Sequence, residues 1–424
     1  MPPRTRRTVL QWSGLALGGL LTGCTGKTSP DPASATPSGP TATETAEQFP
    51  PPEPTAGAPQ DPKPMPTTTE WTRFQADTGN TGHRQDVTAV PNTPAVYWQF
   101  FVQSSPPVVA DGTLYTTEYS RKNALVARNA ATGRVQWTTQ VENGGALGMP
   151  VVDDETIVLQ SYSLLFAFDR QTGTQLWKQD IGRGPPGSPV VVDGTAYLAN
   201  GSFAEWATEA FAFDVATGEK QWQTELGTGE LHLRGSIAVA DDLLFVVDGD
   251  LVALNTADGS EAWRVSFAVP TETTPSVADG TVYVTDTAGH LHAVATADGT
   301  EHWSAKVGKP DRGTAAAVTG DDVYVGTETG LHALTAAGTN QWQFDMNQAT
   351  TPTVGTDAVY VGEGGYDHRT VFAIGRDDGA KRWQHGTAEQ TISDTVQAGV
   401  RGPPTLVEGG VYVVAANGMY AFGR

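Results

Sequence analysis

Short apolar runs alternate with polar turns along residues 95–424, and the same order returns about every forty residues. Residues 189–222 show one period: an apolar run, an Asp-Gly turn, a second apolar run, a looser connection, a third run, a Thr-Gly turn and a last run that ends on Trp222. Short β-rich runs separated by such turns are typical of antiparallel hairpins. The pattern therefore predicts an all-β chain with about four strands in each period.

A tryptophan ends each last run, at intervals of 39, 40, 45, 41, 40, 39 and 41 residues. The eight tryptophans are Trp98, Trp137, Trp177, Trp222, Trp263, Trp303, Trp342 and Trp383. Most of them close an eleven-residue phrase that begins with Ala and carries Gly at its seventh place, complete in Ala167–Trp177 and Ala212–Trp222. A fixed pitch of this length indicates one repeated structural unit. Because an indole has a large apolar surface to bury, we expect these side chains to pack between neighbouring units.

The number of repeats predicts how the fold closes. Eight first hairpins begin near Pro106, Pro150, Pro189, Ser236, Pro275, Ala315, Pro352 and Pro404. The chain ends on Met419–Arg424, which opens the Ala phrase without completing it, and Ala95–Trp98 offers the missing strand. Small sheets repeated radially protect their edges by packing face to face around an axis. We predict an eight-bladed β-propeller of four-stranded antiparallel sheets, with the last blade closed by an N-terminal strand.

The first residues have the form of an export signal. Arg6 and Arg7 make a twin-arginine start, a mildly apolar stretch follows, and Leu21–Cys24 has the form of a lipobox. We expect a mature chain lipidated at Cys24 and held on the outer face of the cell membrane; the alternative is a cleaved leader with an unmodified cysteine. The predicted domains are a signal peptide (1–24), a disordered Thr/Ser/Pro-rich stalk (25–68), a leader packed on the propeller (69–94) and the propeller (95–424).

The composition of the chain limits the classes of partner that it can be expected to bind. A net charge of −21 with a sequence pI near 4.6 excludes nucleic acid as an expected partner, because phosphate demands the opposite sign. Frequent Ala, Thr and Asp with scarce Lys fit adaptation to high salt, as in haloarchaea, although an ordinary acidic secreted protein remains the alternative. The single cysteine means that packing, and no internal disulfide, stabilises the chain. Asn200 heads the one N-glycosylation sequon of interest in the folded region.

The phrase Ala-x-Asp-x-x-Thr-Gly-x-x-x-Trp resembles the docking motif of the pyrroloquinoline-quinone (PQQ) type propeller repeat, from about residue 70 to the end. Departures are Asn129 and Asn255 in place of Asp, and Ala295 and Gly375, which remove it. The resemblance implies that each Trp stacks near the motif Gly of the next blade, around a central funnel. The family divides into quinoprotein dehydrogenases with PQQ and calcium, and non-enzymatic propellers such as the lipoprotein of outer-membrane protein assembly.

The chemistry expected of the dehydrogenase branch is missing from the sequence. One cysteine cannot form the adjacent pair common in those enzymes, and no carboxylate cluster has calcium-loop spacing. No hydrolase triad order, zinc signature or phosphate loop stands out. We therefore assign no catalytic, cofactor or metal residue and expect a non-catalytic binding or assembly scaffold. A PQQ-dependent dehydrogenase that oxidises an alcohol or sugar stays the alternative.

The strand order assigns the loops to two rims. Asp-Gly and Thr-Gly turns fall on one rim, which is strongly acidic, while inter-blade connections and middle loops fall on the other. Cationic and aromatic residues on that second rim predict a binding face: Arg234, Arg312, Arg401, His232, Arg369, Tyr366 and Trp206. The expected ligand is an anionic or carbohydrate-like molecule or a partner protein, bound by a monomer; a sensor or carbohydrate-binding module is a third possibility.

Overall fold

The computed structural model describes residues 64–424 except 91, 120–122, 143–145, 202–207, 228–235, 312, 366–368, 389, 393–394 and 398. Within these residues the chain forms 34 β-strands, paired antiparallel, and no helix. Eight four-stranded sheets contain all but two of the strands. The prediction of an eight-bladed propeller is confirmed.

Blades 1 to 4 each use four consecutive strands. Their bounds are β2 (Val108–Ala110), β3 (Thr113–Tyr119), β4 (Asn123–Asn129) and β5 (Val135–Gln140); β6 (Val151–Asp153), β7 (Thr156–Gln160), β8 (Leu164–Asp169) and β9 (Gln175–Asp180); β10 (Val190–Val192), β11 (Thr195–Gly201), β12 (Thr208–Asp214) and β13 (Lys220–Gly227); β14 (Ala238–Ala240), β15 (Leu243–Asp248), β16 (Asp250–Asn255) and β17 (Glu261–Val265).

Blades 5 to 7 repeat the arrangement, and a two-stranded hairpin then precedes blade 8. The bounds are β18 (Ser276–Ala278), β19 (Thr281–Thr285), β20 (His290–Ala295) and β21 (Glu301–Lys306); β22 (Ala317–Val318), β23 (Asp322–Gly326), β24 (Gly330–Thr335) and β25 (Asn340–Asp345); β26 (Thr353–Val354), β27 (Ala358–Gly362), β28 (Thr370–Gly375) and β29 (Lys381–Gly386); and the hairpin β30 (Gln390–Ile392) with β31 (Thr395–Gln397).

Blade 8 joins the two ends of the propeller. Its strands are β32 (Thr405–Val407), β33 (Gly410–Ala415) and β34 (Gly418–Gly423), and the fourth is β1 (Ala95–Phe100) from the N-terminal side. In the antiparallel register Ala95 pairs with Gly423 and Trp98 with Ala421. The last phrase of the chain thus receives its missing tryptophan strand from more than 300 residues upstream, as the sequence predicted.

The Ala, Gly and Trp of the repeated phrase each have a structural role. In every blade its Ala pairs across the last two strands with the Trp, as Ala212 does with Trp222, and a β-bulge follows. The small methyl group leaves room for the indole to lean toward the next blade. There it lies on the motif Gly, which has a positive φ: a Cβ atom on Gly218 would sit 2.6 Å from Cδ2 of Trp177. Only glycine satisfies both demands at that turn.

Seven such Trp–Gly contacts link successive blades, from Trp98 on Gly133 to Trp342 on Gly379. Most of these indoles also donate their Nε1–H to a neighbouring turn carbonyl, as Trp177 does to Val215 at 2.8 Å. The indoles therefore cover one wall of each inter-blade interface and hydrogen-bond across it. Between them lie the buried apolar clusters of the blade faces, with Phe166, Phe213 and Phe245 among the largest fully buried side chains.

The seam of the ring departs from this pattern at two places. Trp383 donates to the carbonyl oxygen of Val90, a leader residue, instead of a turn of blade 8. Trp98 Nε1 is buried and has no hydrogen-bond partner among the described residues, and the equivalent carbonyl, that of Ala130, accepts the hydroxyl of Tyr412 at 2.9 Å. Ring closure thus depends on contacts that the repeat does not contain.

Candidate functional site

The central channel opens as a funnel on the side of the inter-blade connections. It encloses a cavity of about 670 Å³, within the range common for ligand sites. The connections that precede the first strands of seven of the eight blades supply most of its wall. Lining residues include Ser104 and Ser105 from blade 1, Ser188 from blade 3 and Thr351 from blade 7.

The other end of the channel is filled by the leader. Six first strands donate the backbone N–H of their second residue, a valine, to successive leader carbonyls at 2.6–2.9 Å. The pairs are Val109 to Trp71, Val152 to Thr72, Val239 to Thr78, Val277 to Gly79, Val318 to Thr81 and Val354 to Gly82. Blade 3 is reached instead by the Arg73 side chain, which donates to Val191 O at 2.7 Å, and blade 8 by Thr88 O, which accepts from Gly409 at 3.0 Å.

The leader therefore contacts the innermost strand of seven blades and, in blade 8, the turn that follows β32. Phe74 lies among the residues that line the funnel cavity, and so the leader contributes to its floor. The packed segment begins ahead of residue 69, since Met65 is 2% exposed and its N–H donates to Ala131 O at 3.0 Å. The sequence motif placed the leader on the propeller but gave no sign that it would thread the channel.

Hydroxyl groups connect the blades around the wall. Ser236 Oγ accepts the N–H of Ser188 at 3.2 Å, and Thr274 Oγ1 accepts the N–H of Ser236 at 3.0 Å. Thr351 Oγ1 accepts the N–H of Ala315 at 3.1 Å. Each bond crosses from one blade to the next and holds its hydroxyl oxygen in a fixed position, and Ser236 and Thr351 are among the residues that line the cavity.

The described lining contains few charged side chains, and further charged groups are buried in the leader. Arg401 and Asp311 are the charged residues among the described lining, and both are exposed. In the leader, burial lowers the pKa of Arg73 against the opposing effect of Asp153 and Asp77, and burial raises the pKa of Asp77. Asp77 Oδ1 accepts the Thr81 N–H at 2.9 Å, so this carboxyl fixes the leader coil.

The structure describes two of the seven residues of the predicted binding face. Arg401 lies at the funnel wall, and Arg369 is exposed immediately before β28. Arg234, Arg312, His232, Tyr366 and Trp206 lie outside the described residues, as do Cys24, Arg6 and Arg7. The Asn200 side chain is 2% exposed and its Nδ2 donates to Ile181 O at 2.8 Å, so it is buried in the folded propeller.

The described lining does not fit PQQ with calcium. Calcium needs several oxygen ligands in one place, yet no group of three or more His, Cys, Asp or Glu within the described residues could hold a metal ion. Phe74 and Tyr119 are the aromatic side chains of the described lining, and the Tyr119 hydroxyl is bound to Leu147 O at 2.6 Å. No reaction step is therefore assigned through this cofactor. The described part of the chain also contains no helix of the length and apolar character that a membrane span requires.

Comparison with known families decides the relationship. A family model described as outer membrane protein assembly factor BamB matches residues 71–230, 207–345 and 331–424. The chain belongs to this family. The matched ranges begin at Trp71, so the family pattern includes most of the leader as well as the blades. No curated protein sequence is similar enough to the chain to serve as a relative.

Solved structures of two kinds share the fold. BamB from Moraxella catarrhalis has a TM-score of 0.61 at 16% identity, over 78% of this chain and 100% of that one. The quinohemoprotein alcohol dehydrogenase from Comamonas testosteroni has a TM-score of 0.69 at 14% identity, over 84% and 81%. A europium-containing methanol dehydrogenase gives 0.65 at 13% identity, over 85% and 91%. At such identities the likeness shows the propeller fold alone.

Proposed function

We propose that this chain is a non-catalytic binding scaffold whose partner protein docks over the funnel face. The observation that carries the proposal is the asymmetry of the two faces. The leader fills the channel at the turn face, whereas the funnel face keeps an open cavity surrounded by the inter-blade connections. The family description, an outer membrane protein assembly factor, supports a role in protein contacts.

The point at which the chain enters the propeller agrees with this orientation. Met65 packs against Ala131, a turn residue, and Gly410, the first residue of β33, on the face opposite the funnel. A tether that precedes Met65 would therefore hold the turn face and leave the funnel face free. We propose that the chain is exported through Arg6 and Arg7, lipidated at Cys24 and held by the stalk on the outer face of the cell membrane.

Site-specific photo-crosslinking of the full chain in its native membrane tests which face binds. A photoreactive amino acid at Phe101, which is 40% exposed beside the funnel mouth, or at Arg369 should give a discrete crosslinked band. The same label at Asp193 or Asp279, in turns of the opposite face, is the matched control and should give none. Equal crosslinking from both faces, or bands from the turn face alone, would overturn the docking assignment.

The alternative is a PQQ-dependent dehydrogenase, which the fold of two neighbouring structures allows. The test is addition of PQQ and calcium to the purified chain, followed by alcohol or sugar oxidation with an artificial electron acceptor. We expect no saturable activity, because the described lining offers no cluster that could hold calcium. Saturable, PQQ-dependent turnover would contradict the proposal of a non-catalytic scaffold.

A further inference from the structure

The connection from blade 7 to blade 8 contains a hairpin that the repeat does not have. This connection spans residues 387–404, whereas the one from blade 1 to blade 2 spans 141–150. Its strands β30 and β31 form a separate two-stranded sheet, in which Thr391 pairs with Val396. A two-stranded sheet is marginally stable in water by itself, so this one depends on contacts outside the pair.

Both ends of this connection are fixed on the funnel face. The Thr387 N–H donates to Arg369 O at 2.7 Å, ahead of β30. Beyond β31, the Val400 N–H donates to Glu363 O at 2.7 Å, and Val400 lines the funnel cavity. The hairpin is therefore held beside the opening that the proposed partner would cover.

The other strand edges of the ring are covered or distorted. The leader contacts the innermost strands of seven blades, and the innermost strand of blade 8, β32, is buried. The outermost strand of every blade carries a β-bulge beside its tryptophan. Bulges are a usual protection of a free edge, because they bend the strand and interrupt its pairing groups.

The strands β30 and β31 have neither protection within the described residues. Their register is continuous, no further described strand pairs with them, and neither contains a charged residue or a proline. Ile392 and Thr395 are the last pair before the turn, so they exchange hydrogen bonds, and the next pair presents its N–H and C=O groups outward. The backbone of Thr391 thus faces one free edge and that of Val396 the other.

A strand of this length already accepts an extended segment elsewhere in the structure. The three-residue strand β2 exchanges two N–H···O bonds of 2.8 Å with the leader, both between its middle residue Val109 and Trp71. Thr391 and Val396 are likewise the middle residues of three-residue strands. The same pair of backbone bonds is therefore open to a segment from outside the described chain.

We infer that the hairpin binds an extended segment of the partner protein by strand addition. This inference rests on the proposed scaffold function and names how the partner is recognised, through main-chain bonds to Thr391 or Val396. The segment that precedes Met65 starts from the opposite face, and a net charge of −21 opposes pairing between two copies of the chain. A partner protein is therefore the occupant that fits the funnel face.

A peptide tests the edge without the partner. Isotope-labelled full chain is mixed with a short peptide of alternating Thr and Val with Gln at each end, or with the same peptide N-methylated throughout, which cannot donate backbone bonds. The unmodified peptide should slow amide exchange at Thr391 or Val396 about tenfold, as expected for the gain of one hydrogen bond. The N-methylated peptide should leave both exchange rates unchanged.

Two paired variants test the same edge in binding of the partner. Thr391→Pro with Val396→Pro removes both outward donors, and proline is tolerated where the N–H of an edge strand faces solvent. This variant should lose peptide binding and weaken the crosslink from the Phe101 label about tenfold. Thr391→Val with Val396→Thr exchanges the side chains, keeps the backbone and should behave as the unaltered chain. Thermal unfolding checks that both variants are folded.

Unchanged exchange at both amides, or equal slowing by the N-methylated peptide, would overturn the inference. So would a loss of peptide binding in the side-chain exchange variant, since recognition would then depend on side chains. A dimer of the full chain that the proline variant abolishes would assign the edge to a second copy and contradict the partner protein. A Phe101 crosslink that persists in the proline variant defeats this inference alone, whereas peptide binding without any crosslink defeats only the scaffold proposal.

Discussion

Trp71 and Val109 exchange two backbone hydrogen bonds, each 2.8 Å long, so that the leader adds a short antiparallel pairing to the innermost strand of blade 1. The innermost strand of a propeller blade has one free edge, which faces the channel. Here the leader occupies that edge in blade after blade. The channel is therefore closed by backbone pairing, and the leader ties the blades together at the axis while the indoles tie them at the periphery.

Trp71→Ala should destabilise the whole propeller. The side chain is 1% exposed within the cluster that includes Met65 and Leu406, so its removal leaves a cavity at the seam. We expect a loss of about 3–5 kcal/mol of unfolding free energy. Thr72→Ala is the control, because Thr72 contributes a backbone carbonyl, and it should cost less than about 1 kcal/mol. Urea denaturation measures both, and equal losses would argue against a structural role for the leader.

The docking glycines can be tested with two glycines that have the same φ angle. Gly218 and Gly194 both have φ of +74°, but a Cβ on Gly218 would lie 2.6 Å from Trp177, whereas a Cβ on Gly194 meets nothing within 4 Å. Alanine at Gly194 should cost only the left-handed strain, about 1–2 kcal/mol. Alanine at Gly218 should cost at least about 2 kcal/mol more, because the indole must move. Similar melting temperatures for the two variants would show that Trp–Gly contact is not important for stability.

Arg128 forms a buried ion pair at the ring seam. Its Nη2 lies 2.6 Å from Glu118 Oε1, and its guanidinium lies 4.0 Å from the ring centre of Phe100 in β1. Blades 2 and 3 carry Phe168 and Phe213 at the equivalent position.

Arg128→Phe alone should cost about 3–5 kcal/mol, because it leaves the Glu118 carboxylate buried and uncompensated. Arg128→Phe with Glu118→Leu should restore most of that loss, since an apolar pair of similar volume replaces the ion pair. A double-mutant cycle by denaturant unfolding measures the coupling. Additive losses would mean that the two charges act independently.

The two seam tyrosines should differ in cost. Tyr360 Oη accepts the buried N–H of Val90 at 2.9 Å, so Tyr360→Phe leaves that donor unpaired and should cost about 1–3 kcal/mol. Tyr412→Phe frees the Ala130 carbonyl, to which the Nε1–H of Trp98, unpaired among the described residues, can then donate as the indoles of other blades do. Its cost should stay below about 1 kcal/mol. Denaturant unfolding of the two variants side by side is the measurement, and a larger loss for Tyr412→Phe would contradict the assignment.

The Thr-Gly turns should titrate at unusually low pH. The hydroxyl and N–H of Thr172 hold the pKa of Asp169 below its ordinary value of 3.8, and Thr217 does the same for Asp214. Since the folded-state pKa is depressed, the stabilisation is present above the ordinary value and is lost as the pH falls through the folded pKa. Carboxyl carbon NMR should show both groups more than half ionised at pH 3.8. Thr172→Val should raise the pKa of Asp169 alone, and no change there would refute the hydroxyl as cause.

Much of the fold follows from local pattern. The Ala, Gly and Trp of each phrase serve one requirement, the packing of an indole between neighbouring blades. Because that requirement recurs in each blade, the sequence shows it as a repeated pattern. The truncated phrase at Met419 with the spare strand at Ala95 is enough to predict closure, since an unpaired strand edge needs a partner. The seam contacts Tyr412–Ala130 and Trp383–Val90 are single events, and nothing repeated marks them.

Less of the candidate site than of the fold could be predicted from the sequence. Arg401 was predicted from charge and does lie at the funnel wall, but Ser104 and Thr351 are ordinary polar residues in connections whose common position appears only when the blades are arranged in a ring. Phe74 is one aromatic residue in a motif outside the blades. Nothing in its local sequence says that it reaches the floor of the channel.

The sequence by itself determined the number of blades, their strand order and the side chains that join them, because these depend on short-range periodicity and on turns that only certain residues adopt. The tertiary structure alone decided that Trp71 to Gly82 fills one end of the channel and that hydroxyls from different blades surround the other. The reason is physical: both features are made of backbone groups and small side chains, which carry no distinctive pattern until closure brings residues hundreds of positions apart within hydrogen-bond distance.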